Sequence, residues 1–307
     1  MKNSTVSSLL CLLAAAIWGF AFSAQKAAAA VPPFMLTAAR GWIAGLFLIL
    51  IILLFDKLRG GKRKLFSKKG IDVTKVEWIG GFLCGLVLTC ATVFQQFGIQ
   101  ETDAGKTAFI TALYVVIVPI YALFYGKKSP LHVWCSVAIA VVGFYFLCIT
   151  ESFTLAASDF LVLVCALIFA LHIIVIDYFG ERCDGIRMSC IQFFTVGILG
   201  TVCSLIFDRG ASVSLLFENI LPLLFLGIGS SGIAYTAQIL GQKGANPAVA
   251  SVLLSMESVF GVLGGVFFLG ENLSGREILG CAIVFSAVIL SQLPMTEWIK
   301  HRKSKQI

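Results

Sequence analysis

The chain has 307 residues, of which 59% are apolar and 13% are charged. An ordinary soluble domain has about 25% charged residues, so this composition excludes a water-soluble globular protein and indicates an integral membrane protein. The net charge of +7 would suit a nucleic-acid-binding protein, but the placement of the positive residues is explained by the orientation of the chain in the membrane.

Ten apolar runs follow one another along the chain, and each predicts a membrane-spanning helix. A run of about 20 residues crosses a hydrocarbon core about 30 Å thick, because a helix rises about 1.5 Å per residue. Helices satisfy their own backbone hydrogen bonds, whereas a membrane barrel would show alternating segments of about ten residues. The predicted spans are Ser7–Ala30, Phe34–Phe55, Glu77–Ile99, Ala104–Tyr125, Leu131–Thr150, Ala157–Phe179, Ile186–Phe207, Phe217–Leu240, Asn246–Leu269 and Glu277–Pro294.

The first run also allows a cleavable signal peptide. Lys2 precedes it, and Ala21 and Ser23 have the spacing of a cleavage site. The run is longer than a typical signal core, however, and the charge distribution along the chain agrees with its retention. We therefore expect it to be the first membrane helix.

The positive residues predict the orientation of the chain. With the N-terminus inside, eighteen Lys and Arg residues fall on the inner side and four on the outer side, and Arg40 lies within a span. This distribution follows the positive-inside rule. We therefore expect a multi-pass protein of the cytoplasmic (plasma) membrane with both termini in the cytoplasm, and we expect no nucleic-acid partner.

The two halves of the sequence are weakly similar to each other. A shift of 144 residues aligns Lys127 with Glu271, and a shift of 143 aligns Gln95 with Gln238. Five spans per half is an odd number, so the second copy would be inverted in the membrane, and the exchange of a lysine for a glutamate agrees with this. The sequence thus predicts an all-α membrane protein of ten transmembrane helices in two inverted five-helix repeats, residues 1–150 and 151–307. Secondary transporters often have this plan and bind their substrates between the repeats.

Several segments resemble the EamA-type branch of the drug/metabolite transporter superfamily. They are AAAIWGF at 14–20, Pro33 with Arg40, TDAGKTAFITALYVVIVPI at 102–120 and FLGENLSGREILG at 268–280. The resemblance covers essentially the whole chain. It implies a ten-helix carrier with a central cavity that moves small metabolites, often amino acids or related amphipathic compounds. The chain departs from the family pattern at Glu257, where many relatives have a proline, so their substrates do not transfer to it directly.

Two charged residues within spans are the main candidates for a binding site. Glu257 lies in the middle of the ninth apolar run, and a charge at that depth costs at least a few kcal/mol unless it faces a polar partner or a wet cavity. It is a candidate for binding an amine-bearing substrate or a proton; the alternative is a structural glutamate that joins two helices. Arg40 is a candidate for binding a substrate carboxylate bidentately, and the alternative is a structural pair or snorkelling to the interface.

Other polar and aromatic residues within spans complete the predicted site. Trp18 lies near the centre of its span rather than in the interfacial belt, and it would either stack on a ligand or pack in the core. Gln95, Tyr235 and Gln238 are candidate substrate contacts or interhelical hydrogen-bond partners. His172 is a candidate proton relay together with Glu257, and its alternative is a hydrogen-bonded core residue.

Glycines predict close approaches between helices. Pairs spaced four apart let helix backbones come together, and a cluster of glycines next to Ser230 and Ser231 would loosen or bend the eighth span. The pairs are Gly41 with Gly45, Gly81 with Gly85 and Gly261 with Gly265, and the cluster is Gly227, Gly229 and Gly232.

Together these features predict a secondary carrier that moves a small organic metabolite, such as an amino acid, by alternating access. The driving force would be a proton gradient through Glu257 or the gradient of the substrate itself. We expect a monomer in the lipid bilayer with no catalytic residues, cofactor or nucleotide, because no Walker-type loop is present. We expect no metal, because the ten cysteines lack metal-ligand spacing. Two alternatives stay open: an intramembrane enzyme, for which His172, Asp177 and Glu257 are the available groups, and a sensor or scaffold that transports nothing.

Overall fold

The computed structural model describes residues 2–58, 75–102, 104–148, 156–269 and 274–293. These residues form helices joined by short turns. The segment 59–70, which contains several of the Lys and Arg residues counted on the inner side, lies outside the described residues. Glu271, which aligns with Lys127 in the repeat, lies outside them as well.

Ten helical elements follow the chain order. Nine helices among the described residues are long and apolar enough to cross a membrane, and Leu131–Phe146 is a shorter apolar helix. Each element overlaps one predicted span, so the ten-helix prediction is confirmed. The elements are α1 Lys2–Ala27, α2 Pro33–Leu58, α3 Lys75–Glu101, α4 in the segments Ala104–Ala112 and Tyr114–Phe124, α5 Leu131–Cys148, α6 Ala157–Gly180, α7 Gly185–Phe207, α8 in the segments Ile220–Leu224, Phe225–Tyr235 and Thr236–Gln242, α9 in the segments Pro247–Leu254 and Glu257–Leu269, and α10 Gly275–Gln292. A short helix, Ser214–Glu218, precedes α8.

Side-chain caps fix where several helices begin. Asn246 accepts a hydrogen bond from the Ala248 amide before α9, and proline follows it at the first helical position, where its missing N–H is harmless. Ser274 and Glu277 form a capping box at the start of α10. These caps satisfy amides that would otherwise lack partners at the helix ends.

The helices α1–α5 of the first half correspond in order to α6–α10 of the second. The main helix contacts between the halves each have a counterpart in which both helices are replaced by their equivalents. The equivalent helices α2 and α7 pack on each other, as do α5 and α10. Likewise, α3 packs on α6 and α8 on α1, while α1 packs on α9 and α6 on α4. Consecutive spans alternate in direction, so α2 and α7 are antiparallel and the axis that exchanges them lies in the membrane plane. The prediction of two inverted five-helix repeats is confirmed.

Both α4 and α9 are interrupted at equivalent positions. In α4 the interruption is at Leu113, whose amide bonds the carbonyl of Ile110 three residues back. In α9 it is at Ser255 and Met256, where the Met256 amide bonds the carbonyl of Leu253. Leu113 and Met256 are 143 residues apart, the shift at which the two halves align. The next residues, Tyr114 and Glu257, begin the second segments.

The middle segment of α8, Phe225–Tyr235, has wide π-helical turns. Such turns are rare in proteins and concentrate at functional sites. A Cβ on Gly227 would lie 2.5 Å from Ile43 Cγ2, and one on Gly232 would lie 2.7 Å from Phe47 Cδ1. The glycines therefore let the widened helix approach α2, and the predicted irregularity of the eighth span is present.

Several predicted close approaches occur against α7. A Cβ on Gly41 would lie 2.5 Å from the Gly197 amide nitrogen, and a Cβ on Gly85 would lie 2.5 Å from Thr195 Cβ. Gly261 differs, because a Cβ there would meet Gly19 O at 3.6 Å, an ordinary contact. The surroundings of Gly265 lie outside the described part of the structure.

Ion pairs join α4 and α6 at both ends of the bundle. Lys106 binds Asp159 at 2.5 Å near the start of both helices, and Lys127 binds Asp177 at 2.6 Å near their ends. Lys26, at the end of α1, donates to the carbonyls of residues 99, 100 and 102 at the end of α3. A lysine is favourable there because the C-terminal end of a helix is partially negative.

Candidate functional site

A cavity lies between the two halves. About 460 Å³ of its space is not filled by protein atoms, a figure that includes space open to solvent. All six residues predicted to contact substrate line this cavity, and they are Trp18, Arg40, Gln95, Tyr235, Gln238 and Glu257. The structure thus brings together residues from five helices, and their role in binding stays a prediction.

The cavity lies on the pseudo-twofold axis. Residues that line it come largely in pairs of fixed spacing. The spacing is 143 residues between α3 or α4 and α8 or α9, and it is 151 residues between α1 and α6, a shift that also aligns Ile17 with Ile168. The pairs are Gln95 with Gln238, Thr111 with Leu254, Tyr114 with Glu257, Trp18 with Phe169 and Phe22 with Ile173. Both halves therefore contribute equivalent positions to the cavity.

Arg40 supplies the positive charge of the cavity. Its side chain is buried, Nε donates to Ser231 Oγ at 3.0 Å, and Nη2 donates to Ser230 Oγ at 3.1 Å. An arginine has five N–H donors, so these two bonds leave donors available for a ligand. Within the described part of the chain, no carboxylate pairs with Arg40.

Glu257 supplies the acidic group and is also buried. It is the first residue after the interruption in α9, and the hydroxyl of Tyr114, the first residue after the interruption in α4, lies beside it. The two groups are close enough to hydrogen-bond each other, and neither Glu257 Oε1 nor the Tyr114 hydroxyl has another partner among the described residues. Buried polar atoms of proteins are normally paired, and both groups have the capacity to accept a further hydrogen bond from a ligand.

Trp18 and Tyr235 form an aromatic wall of the cavity. Their ring centroids are 4.6 Å apart and their planes are tilted by 56°. The Trp18 indole donates to the Ser230 carbonyl at 3.2 Å, which fixes the ring next to the serine that binds Arg40.

The two glutamines occupy equivalent places with different bonds. Gln95 donates through Nε2 to Thr111 Oγ1 at 3.3 Å. Gln238 Oε1 is buried without a hydrogen-bond partner among the residues described. The equivalent glutamines therefore differ in the hydrogen bond that holds Gln95 to Thr111.

His172 lies outside the cavity lining. It is fully buried, its Nε2 is 3.1 Å from Gln192 Oε1, and its ring meets Tyr235 edge-on at 5.7 Å. The neighbouring acid Asp177 binds Lys127. The structure therefore places His172 behind the aromatic wall, and its role in proton transfer stays a prediction. No group of three His, Cys, Asp or Glu side chains within the described ranges has the arrangement of a metal site.

Sequence reasoning missed Tyr114, Thr111 and Gln25, which also line the cavity. A signal for the first was present. The shift of 143 residues that aligns Gln95 with Gln238 also aligns Tyr114 with Glu257, so the partner of the predicted acid could have been found by applying the repeat to it.

Comparisons with known proteins agree with this architecture. The sequence model of the EamA-like transporter family matches residues 5–149 and 156–293, once in each half. The chain is 29% identical to an uncharacterized transporter of Archaeoglobus fulgidus over 92% of this chain and 84% of the relative. It is 22% identical to the uncharacterized transporter YoaV of Bacillus subtilis, over 90% of this chain and 92% of that protein. One protein of known crystal structure has the same fold, with a TM-score of 0.75 at 19% identity, over 94% of this chain and 96% of the solved one.

Proposed function

The chain belongs to the EamA-like transporter family and is a multi-pass membrane transporter, and on this premise we propose that it is a secondary carrier for a small zwitterionic metabolite. The substrate class would be amino acids and close relatives with both an ammonium and an anionic group. Transport would proceed by alternating access, without a nucleotide, cofactor or metal.

One observation carries the proposal: a buried arginine and a buried glutamate line the same cavity, and neither has an oppositely charged protein partner among the described residues. An unpaired buried charge is strongly unfavourable. A substrate anion would pair with the free N–H donors of Arg40, and a substrate ammonium would pair with Glu257. Both charges are then neutralised only when a zwitterion occupies the cavity.

The same argument supports coupling to protons. When no ammonium is present, a proton on Glu257 neutralises the buried carboxyl group. Substrate and proton then compete for one group, and a carrier that exposes this group to each side in turn exchanges one for the other. His172, behind Tyr235, is the candidate for passing the proton to or from the cavity.

The position of the cavity supports alternating access. It lies on an axis in the membrane plane, so rocking one repeat against the other opens it to one side and closes it to the other. We propose that both termini lie in the cytoplasm, since the positive residues then fall mainly on the cytoplasmic side. We also propose that the protein acts as a monomer in the cytoplasmic membrane.

A ligand series on the purified protein tests the charge requirement. Thermal stabilisation is measured with the proteinogenic amino acids, with the amine that lacks the carboxylate of each, and with the acid that lacks the amino group. We expect the zwitterions to stabilise most. Arg40→Gln should remove the advantage of the anionic group and Glu257→Gln that of the ammonium, with the exposed Arg209→Gln and Glu181→Gln as matched controls.

Uptake into liposomes then tests coupling. An imposed pH gradient should drive accumulation of the best ligand by the wild type, and Glu257→Gln should retain exchange of substrate but lose the response to the gradient. Equal stabilisation by the amines and acids that lack one of the two charged groups would contradict the proposed substrate class. An unchanged response to the gradient in Glu257→Gln would contradict the role of this carboxyl group.

A further inference from the structure

The two interrupted helices present different groups at one equivalent position. Tyr114 and Glu257 each begin the segment that follows the interruption, and they are related by the repeat. One half of the protein thus contributes a hydroxyl and the other a carboxylate to the same point of the cavity. This asymmetry belongs to the site rather than to the fold, because both residues line the cavity.

The two groups are adjacent, buried and incompletely bonded. Tyr114 is 4% exposed and Glu257 is also 4% exposed, and their side chains adjoin. The two groups are close enough to hydrogen-bond each other, and neither the Tyr114 hydroxyl nor Glu257 Oε1 has any other partner within the part of the chain that the structure describes. A buried polar atom left unpaired is unfavourable, so a ligand that supplies two donors at this point is favoured over one that supplies a charge alone.

We propose that Tyr114 and Glu257 together recognise the N–H groups of the substrate's amine. The inference rests on the proposed function and narrows its substrate class to primary and secondary amines. An ionised carboxylate only accepts hydrogen bonds, and a tyrosine hydroxyl accepts as well as donates. While the Tyr114 hydroxyl donates to the carboxylate, a primary ammonium can donate to both oxygens at once, whereas a quaternary ammonium has no N–H and adds no hydrogen bond to either.

The neighbouring aromatic rings make the opposite result physically possible. Trp18 and Tyr235 line the same cavity, and aromatic rings bind quaternary ammonium groups through cation–π attraction. If the rings determined recognition, methylation of the amine would leave affinity unchanged or increase it. Methylation therefore separates recognition by hydrogen bonds from recognition by an aromatic cage.

The experiment measures the dissociation constants of one amino acid and its N-methyl, N,N-dimethyl and N,N,N-trimethyl derivatives. The amino acid is the tightest-binding member of the proteinogenic set, and the protein is the purified full chain. In the wild type we expect the trimethyl derivative to bind about 10- to 100-fold more weakly than the parent, because hydrogen bonds to a charged group are lost. This part needs no variant, so it does not depend on whether a mutant folds.

Tyr114→Phe tests the hydroxyl. The variant keeps the ring and should bind the primary amine about 5- to 10-fold more weakly, while the trimethyl derivative is unaffected because it made no bond to the hydroxyl. Tyr121→Phe, the same change in the same segment of α4 but away from the cavity lining, should leave the whole series unchanged.

Two results would overturn the inference while leaving the proposed function in place. One is equal or tighter binding of the trimethyl derivative by the wild type; the other is a Tyr114→Phe protein that melts normally and discriminates along the series as the wild type does. Failure of every amino acid to bind would instead refute the proposed function and with it this inference. Binding that does not change in the Arg40 and Glu257 variants would do the same.

Discussion

Gly19 and Gly261 face each other where α1 crosses α9, and adding one methyl group should have opposite effects at the two positions. A Cβ on Gly19 would lie 2.7 Å from the Glu257 carbonyl oxygen and 2.7 Å from the Gly261 amide nitrogen, and it would also meet Phe260 Cβ. A Cβ on Gly261 would meet nothing closer than 3.6 Å. Gly19→Ala should therefore disturb the crossing, and Gly261→Ala should not.

The size of the difference follows from two terms. Overpacking of a well-packed interior costs about 1–3 kcal/mol, and only the position 19 substitution creates it. The gain in helix propensity from glycine to alanine, about 1 kcal/mol, applies to both variants and cancels in their comparison. Gly19→Ala should thus be about 1–3 kcal/mol less stable than Gly261→Ala. At about 2–4 °C per kcal/mol, the scaling for domains of about 150–250 residues, this corresponds to a midpoint about 2–12 °C lower.

The assay is thermal unfolding of both variants and the wild type in one detergent, followed by the fraction that remains monodisperse on size exclusion. Because the clash involves the backbone of Glu257, Gly19→Ala should also weaken amino-acid binding, and Gly261→Ala should bind as the wild type does. Equal midpoints for the two variants, or a lower one for Gly261→Ala, would refute the close approach of α1 to α9 on which this reasoning depends.

Three further predictions follow from the inner and outer turns. Lys127→Met should destabilise the protein by about 1–2 kcal/mol, because it leaves the buried Asp177 unpaired, although water screens the half-exposed lysine. The control is Lys128→Met, a change at the exposed neighbouring residue. Equal melting temperatures of the two variants would contradict a stabilising role of the ion pair. In a cysteine-free background, a cysteine at Lys128 should react with a membrane-impermeant maleimide only after permeabilisation, whereas one at Arg209 should react in intact cells, and the reverse pattern would invert the proposed topology. Burial raises the pKa of the Cys183 thiol above its usual range, so a variant that retains only this cysteine should be alkylated slowly at pH 7 and faster with each unit up to pH 9, as its thiolate fraction grows; a rate that is flat above pH 8 would contradict this.

The ten spans could be predicted because lipid imposes a long apolar run on each crossing, and that requirement is visible residue by residue. The interruptions in α4 and α9 could not, because Leu113, Ser255 and Met256 include no proline or glycine that would mark a break. They arise from tightened turns that tertiary packing maintains at equivalent places in both halves.

The charged and aromatic members of the cavity were predictable for a related reason. Arg40 and Glu257 are conspicuous within apolar runs, since a charge there requires a partner. The groups that bind Arg40 were not predictable, because Ser230 and Ser231 come close to it only through the packing of α2 against the widened middle of α8. Tyr114 was missed because a tyrosine inside a helix is common and draws attention only when its repeat mate is known to be an acid.

For the proposed zwitterionic substrate, the opposite placement of the two buried charges would fix which end leads during transport. Arg40 is about 10 Å from the start of α2, at the face of the α1–α2 turn, whereas Glu257 is about 15 Å from the start of α9, at the other face. A zwitterion held by both residues keeps its anionic end toward the first face whichever side is open. A molecule leaving through that face goes carboxylate first and one arriving through it comes ammonium first, so it crosses the protein without turning end over end.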